Sequence, residues 1–255
     1  EKLNLTESLA FMQKHLGADH AIVKRILGDK TPDARAAELV DGTRITDSEI
    51  RNLLQAGGKP LIVWQIAALA RAGWHDIVIN AAHLAGRLVA ALGNGAAFGV
   101  TLHWSREPEP LEAAGGIATA LPLLPSGPAL IVSGDIYTTF DYASLLPAAA
   151  AMARQPDPGR AHLVLVPNPP YHPGGDFALI DGRLALDGNP RQTFANIGLY
   201  DTRLFRELPR GTKLKLLPYL QRWIAEGRVS GETFDGFWAN VGTPDDLAQL
   251  DAALR

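Results

Sequence analysis

Cysteine is absent from the 255 residues of this chain. Its absence excludes disulfide bonds, thiolate metal sites and cysteine nucleophiles, and it fits a reducing compartment. An excess of basic charge is also lacking, because 24 Lys and Arg residues stand against 27 Asp and Glu residues and give a formal net charge of −3. This balance gives no electrostatic footprint for nucleic acid. Any phosphate chemistry must therefore come from local groups.

Long apolar runs are missing as well. No stretch reaches the roughly 18 apolar residues that a membrane-spanning helix requires. The sequence also does not start with a basic segment followed by an apolar core, the pattern of a secretory signal. We therefore expect a cytoplasmic protein that uses neither a membrane nor a nucleic acid as its partner.

The first 56 residues predict helices alone. Thr6 is a candidate cap for a helix to about Leu16, and residues 21–27 repeat apolar residues at helical spacing. Thr46 and Glu49 form a capping-box pattern for a helix through about Gln55. Two interpretations of this segment stay open: a packed helical appendage, or a module that binds a partner.

From Gly57 onward, predicted strands alternate with predicted helices, which implies crossover connections and a largely parallel sheet. We predict an α/β, Rossmann-like fold with a mostly parallel but mixed central sheet, helices on both faces, and a helical segment before it. The expected domains are residues 1–56 and 57–255. The predicted helices span residues 61–72, 85–92, 116–124, 216–226 and 244–254, and the predicted strands span 76–80, 99–104, 129–132, 161–166, 177–180, 183–186 and 194–200.

One buried strand ends in a turn that could bind a ligand. Residues 129–132 are continuously apolar and lead into Ser133-Gly134-Asp135. The carboxyl edge of such a strand is where open α/β sheets bind ligands. Gly134 would let a ligand approach the backbone, and the Asp135 carboxylate could bind a divalent cation. A plain alternative is that Asp135 only caps the turn.

Other strand ends carry similar signals. Asn80 closes the first predicted strand, Glu112 to Gly116 open a helix, and Trp238 to Pro244 lead into the last helix. In a doubly wound sheet these ends converge on one crevice. Gly115 and Gly116 would expose unpaired helix N–H groups to a ligand. Alternatively, this pair of glycines only makes a tight turn.

Taken in this order, these segments resemble those of the sugar-1-phosphate nucleotidyltransferases, over residues 57–255. Within that superfamily they look most like bacterial N-acetylmuramate 1-phosphate uridylyltransferases of peptidoglycan recycling, which share the short Glu-x-x-Gly-Gly loop. The matching segments are Gly57-Gly58-Lys59-Pro60-Leu61-Ile62, Val78-Ile79-Asn80, Leu111 to Ile117, Ser133-Gly134-Asp135, Gly175-Asp176-Phe177, Asn196 to Tyr200 and Val241-Gly242-Thr243-Pro244.

The resemblance implies an enzyme that joins a nucleoside triphosphate, UTP by the nearest relatives, to a sugar 1-phosphate, here N-acetylmuramate 1-phosphate. Pyrophosphate is released, and Mg²⁺ is the cofactor. Asp135 would hold Mg²⁺ as a catalytic residue, and Asp176 and Asn196 would contact the sugar phosphate. The residues implied for nucleotide binding are Lys59, Asn80, Glu112, Gly115 and Gly134.

Two departures from the family pattern are visible. Family members begin with a strand and a glycine-rich loop that holds the triphosphate, and this chain has no such start; the substitutes would be Arg44, Arg51 and Lys59. Arg51 stands where the family has its lysine, so we assign it a catalytic role; the alternative is a solvated arginine on the face of the predicted helix from Thr46 to Gln55. Asn240 replaces an aspartate that is a second metal ligand in many members. An amide oxygen can coordinate a cation but brings no charge.

Three hypotheses follow for the function. The first is a working uridylyltransferase or a close relative. The second is a non-catalytic domain that has lost the phosphate loop and that binds nucleotide sugars or has a regulatory role. The third is a rearranged chain in which helices cover an exposed edge strand. Release of pyrophosphate that depends on a nucleotide separates the first hypothesis from the other two.

Overall fold

The computed structural model of the protein describes residues 40–41, 44–45, 53–82, 85–155 and 159–255. The helices predicted within residues 1–39 and 46–52, and Arg51, lie outside these residues. Three short strands fall in the segment that was predicted to be helical: β1 (Val40–Asp41), β2 (Arg44–Ile45) and β3 (Gln55–Ala56). The prediction of helices alone is therefore wrong for these residues, and a helix through Gln55 is excluded because Gln55 pairs with Pro60.

The chain then forms two helix-strand units. They consist of β4 (Lys59–Pro60), α1 (Leu61–Arg71), β5 (Asp76–Ala81), α2 (Ala85–Leu92) and β6 (Thr101–Arg106). Helix α1 is apolar, and it ends before Gly73, whose φ of +90° an L side chain rarely adopts. The helices and strands predicted here from periodicity are confirmed within a few residues.

The next four elements lie before and after the predicted turn at Asp135. They are α3 (Glu112–Ala120), β7 (Pro128–Val132), β8 (Ile136–Thr138) and α4 (Leu146–Ala153). Helix α3 begins four residues before the prediction, at Glu112, whose φ is +61°. Neither β8 nor α4 was predicted, because β8 has only three residues and α4 is a run of alanines without an apolar stripe.

The second half contains more strands than the sequence indicated. It consists of β9 (Ala161–Val166), β10 (Phe177–Ile180), β11 (Arg183–Ala185), β12 (Arg191–Asp201), α5 (Leu217–Ala225), β13 (Val229–Thr233), β14 (Trp238–Asn240) and α6 (Pro244–Ala253). A hairpin turn at Asp181-Gly182 joins β10 to β11, with positive φ at both residues, and the two predicted strands on either side of it are confirmed. Strands β13 and β14 were missed.

The main sheet has six strands in the order β10-β11-β13-β9-β12-β7. Strand β13 is parallel to β9, and the remaining pairs of this sheet are antiparallel. Strands β5 and β6 form a separate parallel pair. The predicted α/β fold with a mixed sheet is thus confirmed, with more antiparallel pairing than expected.

Helices pack against both faces of these strands. On one side Ile62 and Ile66 of α1 pack with Ile79 of β5 and with Leu88 of α2. In the larger cluster, Trp223 of α5 and Phe205 pack with the main sheet, and their rings lie 5.4 Å apart in an edge-to-face arrangement. The apolar residues of both clusters are nearly all buried.

The end of the described chain packs against an early segment. The N–H of Gly57 donates to Oδ1 of Asp251 on α6 at 2.9 Å, across 194 residues of sequence. A Cβ at Gly57 would lie 2.8 Å from Cβ of Leu254, so the two segments are in close contact. Helix α6 therefore fixes the turn that carries Lys59. Among the described residues, no helix combines the length and the apolar character needed to cross a bilayer.

Candidate active site

The turn that carries Asp135 is held by backbone hydrogen bonds on two sides. Strand β7 ends at Val132, and the N–H of Ser133 donates to the carbonyl of Asn196 at 3.1 Å. On the other side, the N–H of Val241 donates to the carbonyl of Asp135 at 3.0 Å. The half-buried Asp135 is therefore fixed between β12 and the end of β14.

Asn240 lies on the strand next to this turn. It pairs with Ile136, the residue after Asp135, so Asp135 and Asn240 stand at the same end of neighbouring strands. The segment that follows is pinned by a capping box, in which Thr243 Oγ1 accepts from the Asp246 N–H at 3.1 Å and Asp246 Oδ2 accepts from the Thr243 N–H at 2.8 Å. The position of Asn240 is thus fixed from both ends.

A buried polar chain ties strand β8 to helix α1. Gln65 Nε2 donates to the carbonyl of Ile136 at 2.7 Å, and the Tyr142 hydroxyl donates to Gln65 Oε1 at 2.6 Å. Burial raises the pKa of Tyr142 well above its ordinary value, and the hydrogen bond to Gln65 acts weakly against this rise. Tyr142 therefore stays a neutral donor, and the backbone just after Asp135 is rigidly positioned.

The start of α3 differs from the prediction. The N–H groups of Ala114 and Gly115 both donate to the carbonyl of Leu214, at 3.0 and 3.1 Å. The expectation that the Gly115 N–H is open to a ligand is therefore wrong, because Leu214 of the same chain caps this helix. A Cβ at Gly115 would lie 2.1 Å from the carbonyl oxygen of Thr212, so this glycine permits close packing of the 212–214 segment.

Gly116 faces a different direction from Gly115. A Cβ at Gly116 would lie 2.5 Å from Nδ2 of Asn80 and 2.9 Å from Oε1 of Glu107. Glu107 is buried, and its Oε2 accepts from the N–H of Leu111 at 3.0 Å. Gly116 thus brings the end of β5 and the approach to α3 into contact around the exposed Asn80 side chain.

A cavity of about 930 Å³ joins several of the predicted residues. Asn80, Glu112, Gly134 and Asp135 all line it, so the structure brings together four residues from three separate strand or helix ends. Its volume is within the range of small-molecule sites. Apolar side chains from α1, β5 and β7 line the rest of it.

Asp176 and Asn196 lie on the β12 side of the site. Asp176 Oδ2 accepts from the N–H of Phe194 at 2.8 Å, and Oδ1 lies 3.2 Å from Nε2 of His172. Asn196 has a φ of +58°, at the irregular register between Phe194 and Gly198. This left-handed residue at a bulge places its carbonyl next to Ser133. Asp176 thus braces the strand that presents Asn196.

Lys59 does not point into this cavity. Its Nζ lies 4.7 Å from the centroid of the Trp64 ring, in a cation-π contact. Arg51 lies outside the described residues, and of Arg44 only its place in β2 is described. The structure therefore brings together Asn80, Glu112, Gly134 and Asp135 with Asn196 and Asn240 beside them, and leaves Lys59 apart.

The donors at Asp135 and Asn240 fit a hard divalent cation. Within the part of the chain that is described, no three His, Asp or Glu side chains form a metal cluster. Mg²⁺ needs only one or two carboxylates when substrate phosphates and water complete its shell. One carboxylate and one amide oxygen on neighbouring strands meet that requirement.

Two residues near the site were missed by the sequence analysis. Lys213 lines the cavity from the segment that caps α3. Tyr171 is 60% exposed, and it forms a hydrogen bond with Asn240. The partial burial of its ring and the negative charge of Asp246 raise the pKa of Tyr171, and the hydrogen bond with Asn240 opposes this rise. The basic Arg-Gly-Thr-Lys sequence before α5 could have indicated Lys213. No local pattern indicates Tyr171, which reaches the site from a loop.

Comparisons with known proteins agree with this geometry. A family model described as "Nucleotidyl transferase" matches residues 42–171. N-acetylmuramate alpha-1-phosphate uridylyltransferase of Neisseria meningitidis serogroup B is 41% identical over 212 residues, which are 82% of this chain and 90% of that protein. The Caulobacter vibrioides protein of the same name is 28% identical, over 84% of this chain and 93% of that protein.

A solved structure shares the fold. The crystal structure of a putative glucose-1-phosphate thymidylyltransferase from Bacillus anthracis, in complex with a sucrose, superposes with a TM-score of 0.66 at 20% identity, over 80% of this chain and 86% of that one. The family match and the 41% identity together carry the assignment. The chain belongs to the nucleotidyl transferase family and is a sugar-1-phosphate nucleotidyltransferase of the uridylyltransferase-like kind.

Proposed function

We propose that this enzyme transfers a uridylyl group from UTP to N-acetylmuramate 1-phosphate and releases pyrophosphate. The reaction would take place in the cytoplasm and would serve the recycling of peptidoglycan. The observation that carries the proposal is the arrangement around Asp135: a carboxylate at a strand end, in a cavity that Asn80, Glu112 and Gly134 also line. The name of the Neisseria relative supports the choice of nucleotide and sugar.

The chemistry places two demands on this site. An oxygen of the sugar 1-phosphate attacks the α-phosphorus of UTP, the bond to the β-phosphate bridging oxygen breaks, and pyrophosphate leaves in line. The protein must therefore align two anions and neutralise their oxygens. We assign the uracil and ribose to the side of Asn80, Glu112 and Gly134, and the sugar phosphate to the side of Asp176 and Asn196.

Asp135 and Asn240 would hold Mg²⁺ between these two sides. When bound, Mg²⁺ supplies positive charge against the α-phosphate oxygens and the departing pyrophosphate. The β- and γ-phosphates would need further cations. Arg51 is our first candidate, and Lys59 could serve only after leaving Trp64; Lys213, which lines the cavity, is a third.

The competing hypothesis was a domain that binds nucleotide sugars without catalysis. The 41% identity to an enzyme over most of both chains favours catalysis. We therefore propose that the residues described above catalyse the transfer. We also propose that the strength of triphosphate binding limits the rate.

The test compares the parent enzyme with Asp135→Asn. Pyrophosphate release is measured with UTP, N-acetylmuramate 1-phosphate and Mg²⁺. We expect a loss of at least about a hundredfold in kcat, because the charge that holds the cation is removed. Asp181→Asn is the matched control: Asp181 is exposed in the β10–β11 turn with a φ of +48°, a conformation that asparagine tolerates.

The control variant should keep parental activity and both variants should keep the parental circular dichroism spectrum. Undiminished turnover by Asp135→Asn at saturating Mg²⁺ would contradict the metal assignment. Equal turnover with glucose 1-phosphate or mannose 1-phosphate would contradict the assigned sugar, and a preference for another triphosphate would contradict UTP.

A further inference from the structure

The side-chain amide of Asn240 has two unlike ends, and only one of them can bind a cation. Its Oδ1 is an acceptor with two lone pairs, whereas its Nδ2 carries two donor hydrogens and would repel a metal ion. The carboxylate of Asp135 has no such requirement, because its two oxygens are equivalent. A metal site built from one carboxylate and one amide therefore needs a third group, which fixes the end of the amide that faces the ion.

Tyr171 contacts this amide from the loop between β9 and β10. Its hydroxyl group forms a hydrogen bond with the Asn240 side chain, and the negative charge of Asp246 also acts on it. The same Asp246 carboxylate accepts the N–H groups of Gly242 and Thr243, at 3.1 and 2.8 Å. The hydroxyl group of Tyr171 thus lies near both the Asn240 amide and a fixed anion at the start of α6.

The charge of Asp246 determines the direction of this hydrogen bond. A hydroxyl group near an anion is most stable with its hydrogen toward that anion, which leaves its lone pairs for Asn240. The Nδ2 of Asn240 then donates to the oxygen of Tyr171. In agreement, the hydrogen bond acts to lower the pKa of Tyr171, as a bond that the phenol oxygen accepts does. With Nδ2 engaged in this way, Oδ1 is the end of the amide that is left for a cation.

The loop that carries Tyr171 is fastened to strand β12. Asn168 Nδ2 donates to the carbonyls of Pro173 and Arg191, both at 3.0 Å. Asn168 Oδ1 accepts from the hydroxyl group of Thr193 at 2.9 Å. These bonds hold the loop in place, although the Tyr171 side chain itself is largely exposed and contributes little to the core. The sequence therefore keeps an exposed tyrosine in a fixed position next to Asn240.

We propose that Tyr171 is a positioning residue for the metal site, which accepts a hydrogen bond from Asn240 Nδ2 and so keeps Oδ1 available for Mg²⁺. This inference rests on the proposed role of Asn240 as a metal ligand. In this role Tyr171 acts through Asn240 and not on the ion. Without the hydroxyl group the amide also adopts the reversed orientation, and the apparent affinity for the cation falls with the fraction of molecules that keep the competent one.

The first measurement is the binding of Mn²⁺, as a probe for Mg²⁺, to the full chain without substrates. The concentration of unbound ion is measured by electron paramagnetic resonance. We expect Tyr171→Phe to raise the dissociation constant for Mn²⁺ about threefold to tenfold, the effect of losing one hydrogen bond of ordinary strength. Tyr219→Phe is the matched control, because it removes the same hydroxyl group from a ring of α5 that packs 6.1 Å from Trp223. It should bind Mn²⁺ as the parent does.

Steady-state kinetics give an independent measurement. In Tyr171→Phe the Mg²⁺ concentration for half-maximal pyrophosphate release should rise by a similar factor. The value of kcat at saturating Mg²⁺ should equal that of the parent, because a saturating ion shifts the amide back to the competent orientation. A loss of kcat that saturating Mg²⁺ does not reverse would contradict the positioning role.

A double-mutant cycle separates the orientation of the amide from the shape of the loop. Asn240→Asp replaces the amide with a carboxylate, whose two oxygens are equivalent and which needs no orientation. In the Asn240→Asp background, Tyr171→Phe should therefore not weaken Mn²⁺ binding, although it does so in the parent. Equal weakening in both backgrounds would mean that the hydroxyl group only shapes its loop, and it would overturn the proposal.

Asn240→Ala distinguishes a failure of this inference from a failure of the metal assignment on which it rests. If Asn240→Ala weakens Mn²⁺ binding and Tyr171→Phe does not, Tyr171 has no positioning role, and Asn240 is still a metal ligand. If Asn240→Ala binds Mn²⁺ as tightly as the parent, the amide is not a ligand, and both the assignment and the inference are wrong.

Discussion

At the scale of single residues, the two neighbouring glycines of α3 have different neighbours and should respond differently to substitution. A Cβ at Gly115 would meet the backbone carbonyl of Thr212 at 2.1 Å, whereas a Cβ at Gly116 would meet the end of the Asn80 side chain at 2.5 Å. Backbone cannot move aside without displacing the 212–214 segment, but a side-chain amide can rotate. Gly115 is therefore required for packing and Gly116 for the position of Asn80.

We predict that Gly115→Ala lowers the free energy of unfolding by about 1–3 kcal/mol, the usual effect of overpacking. Urea unfolding measures it. Gly86→Ala is the matched control: Gly86 lies in α2 with nothing within 4 Å of a Cβ, so alanine should stabilise the helix by about 0.5–1 kcal/mol. If the free energy of unfolding of Gly115→Ala equals that of the parent, the 212–214 segment moves aside without destabilising the fold, and the prediction is wrong.

Gly116→Ala should change binding more than stability. The added methyl group displaces the Asn80 amide, so we expect the KM for UTP to rise several-fold while the free energy of unfolding changes by less than about 1 kcal/mol. Steady-state kinetics with UTP varied, together with urea unfolding, separates the two effects. A loss of stability without any change in KM would exclude Asn80 from the nucleotide side of the site.

His162 connects stability to pH. Burial lowers its pKa, against the opposing charge of Glu232, so the folded state resists protonation at a pH where the unfolded chain accepts a proton. The contribution of His162 to the free energy of unfolding is therefore fully present above the ordinary histidine pKa of about 6.5. It is lost as the pH falls below that value, because the unfolded chain then binds a proton more readily than the folded protein does. We predict that the parent loses more stability between pH 8 and pH 5 than His162→Gln does.

Denaturant unfolding at the two pH values gives this difference directly. His103→Gln, at a histidine whose side chain is 43% exposed, controls for the loss of an imidazole and should follow the parent. A steeper loss of stability toward pH 5 in His162→Gln than in the parent would contradict the inference that burial lowers the pKa of His162.

The sequence predicted that the chain segments at Asn80, Glu112 and Asp135 converge on one crevice, because each follows or precedes a strand or helix with a clear apolar pattern, and in the structure all three residues line one cavity. It could not indicate that Leu214 caps α3, since that contact joins segments 100 residues apart. Likewise, the +61° φ of Glu112 has no signal in the sequence, because glutamate rarely adopts it.

At the scale of elements, the start of α6 positions the side of the site that carries Asp135 and Asn240. The capping box of Thr243 and Asp246 fixes residues 241–243, and the N–H of Val241 holds the Asp135 carbonyl. Loss of the cap should therefore affect both stability and the site. The prediction of a helix over residues 244–254 placed its start correctly at Pro244.

We predict that Thr243→Ala lowers the free energy of unfolding by about 1 kcal/mol, the typical value of an N-cap side chain, and raises the Mg²⁺ concentration needed for half-maximal rate. Thr243→Ser keeps the hydroxyl group and should restore both quantities. A rise in the Mg²⁺ requirement that Ser does not reverse would show that the methyl group, and not the cap, is responsible.

Short strands were the elements that sequence reasoning missed. Strands β8 and β14 have three residues each, and they exist because they pair with each other and because Gln65 and Trp238 anchor them to α1 and β12. Periodicity needs a longer window to show a strand. Tertiary contacts alone therefore determine the elements that carry Asn240 and the residue after Asp135.

At the scale of the whole molecule, the product should stabilise the fold. A ligand at 100 times its dissociation constant adds about 2.7 kcal/mol to the folded state, which corresponds to about 5–11 °C in Tm for a domain of this size. We predict such a shift with UDP-N-acetylmuramate and a smaller one with UMP, measured by differential scanning fluorimetry. Asn196→Ala should reduce the first shift and not the second.

The fold class was predictable for the region from Gly57 onward, because strands and helices alternate there with clear patterns. The separation of the β5–β6 pair from the six-stranded sheet was not predictable, since the sequence carries no signal for which strands become neighbours. The order of the main sheet also arises from long-range pairing, as in β12, which contacts β7, β9 and β10.

The contact between Gly57 and Asp251 has a consequence for synthesis in the cell. A ribosome adds about 5–20 residues per second, so the 194 residues between these partners take about 10–40 seconds to make. During that time the turn that precedes α1 has no helix α6 against which to pack. The nascent chain therefore completes this part of its fold only after α6 has been made, and until then the uncovered surface around Trp64 is open to chaperones.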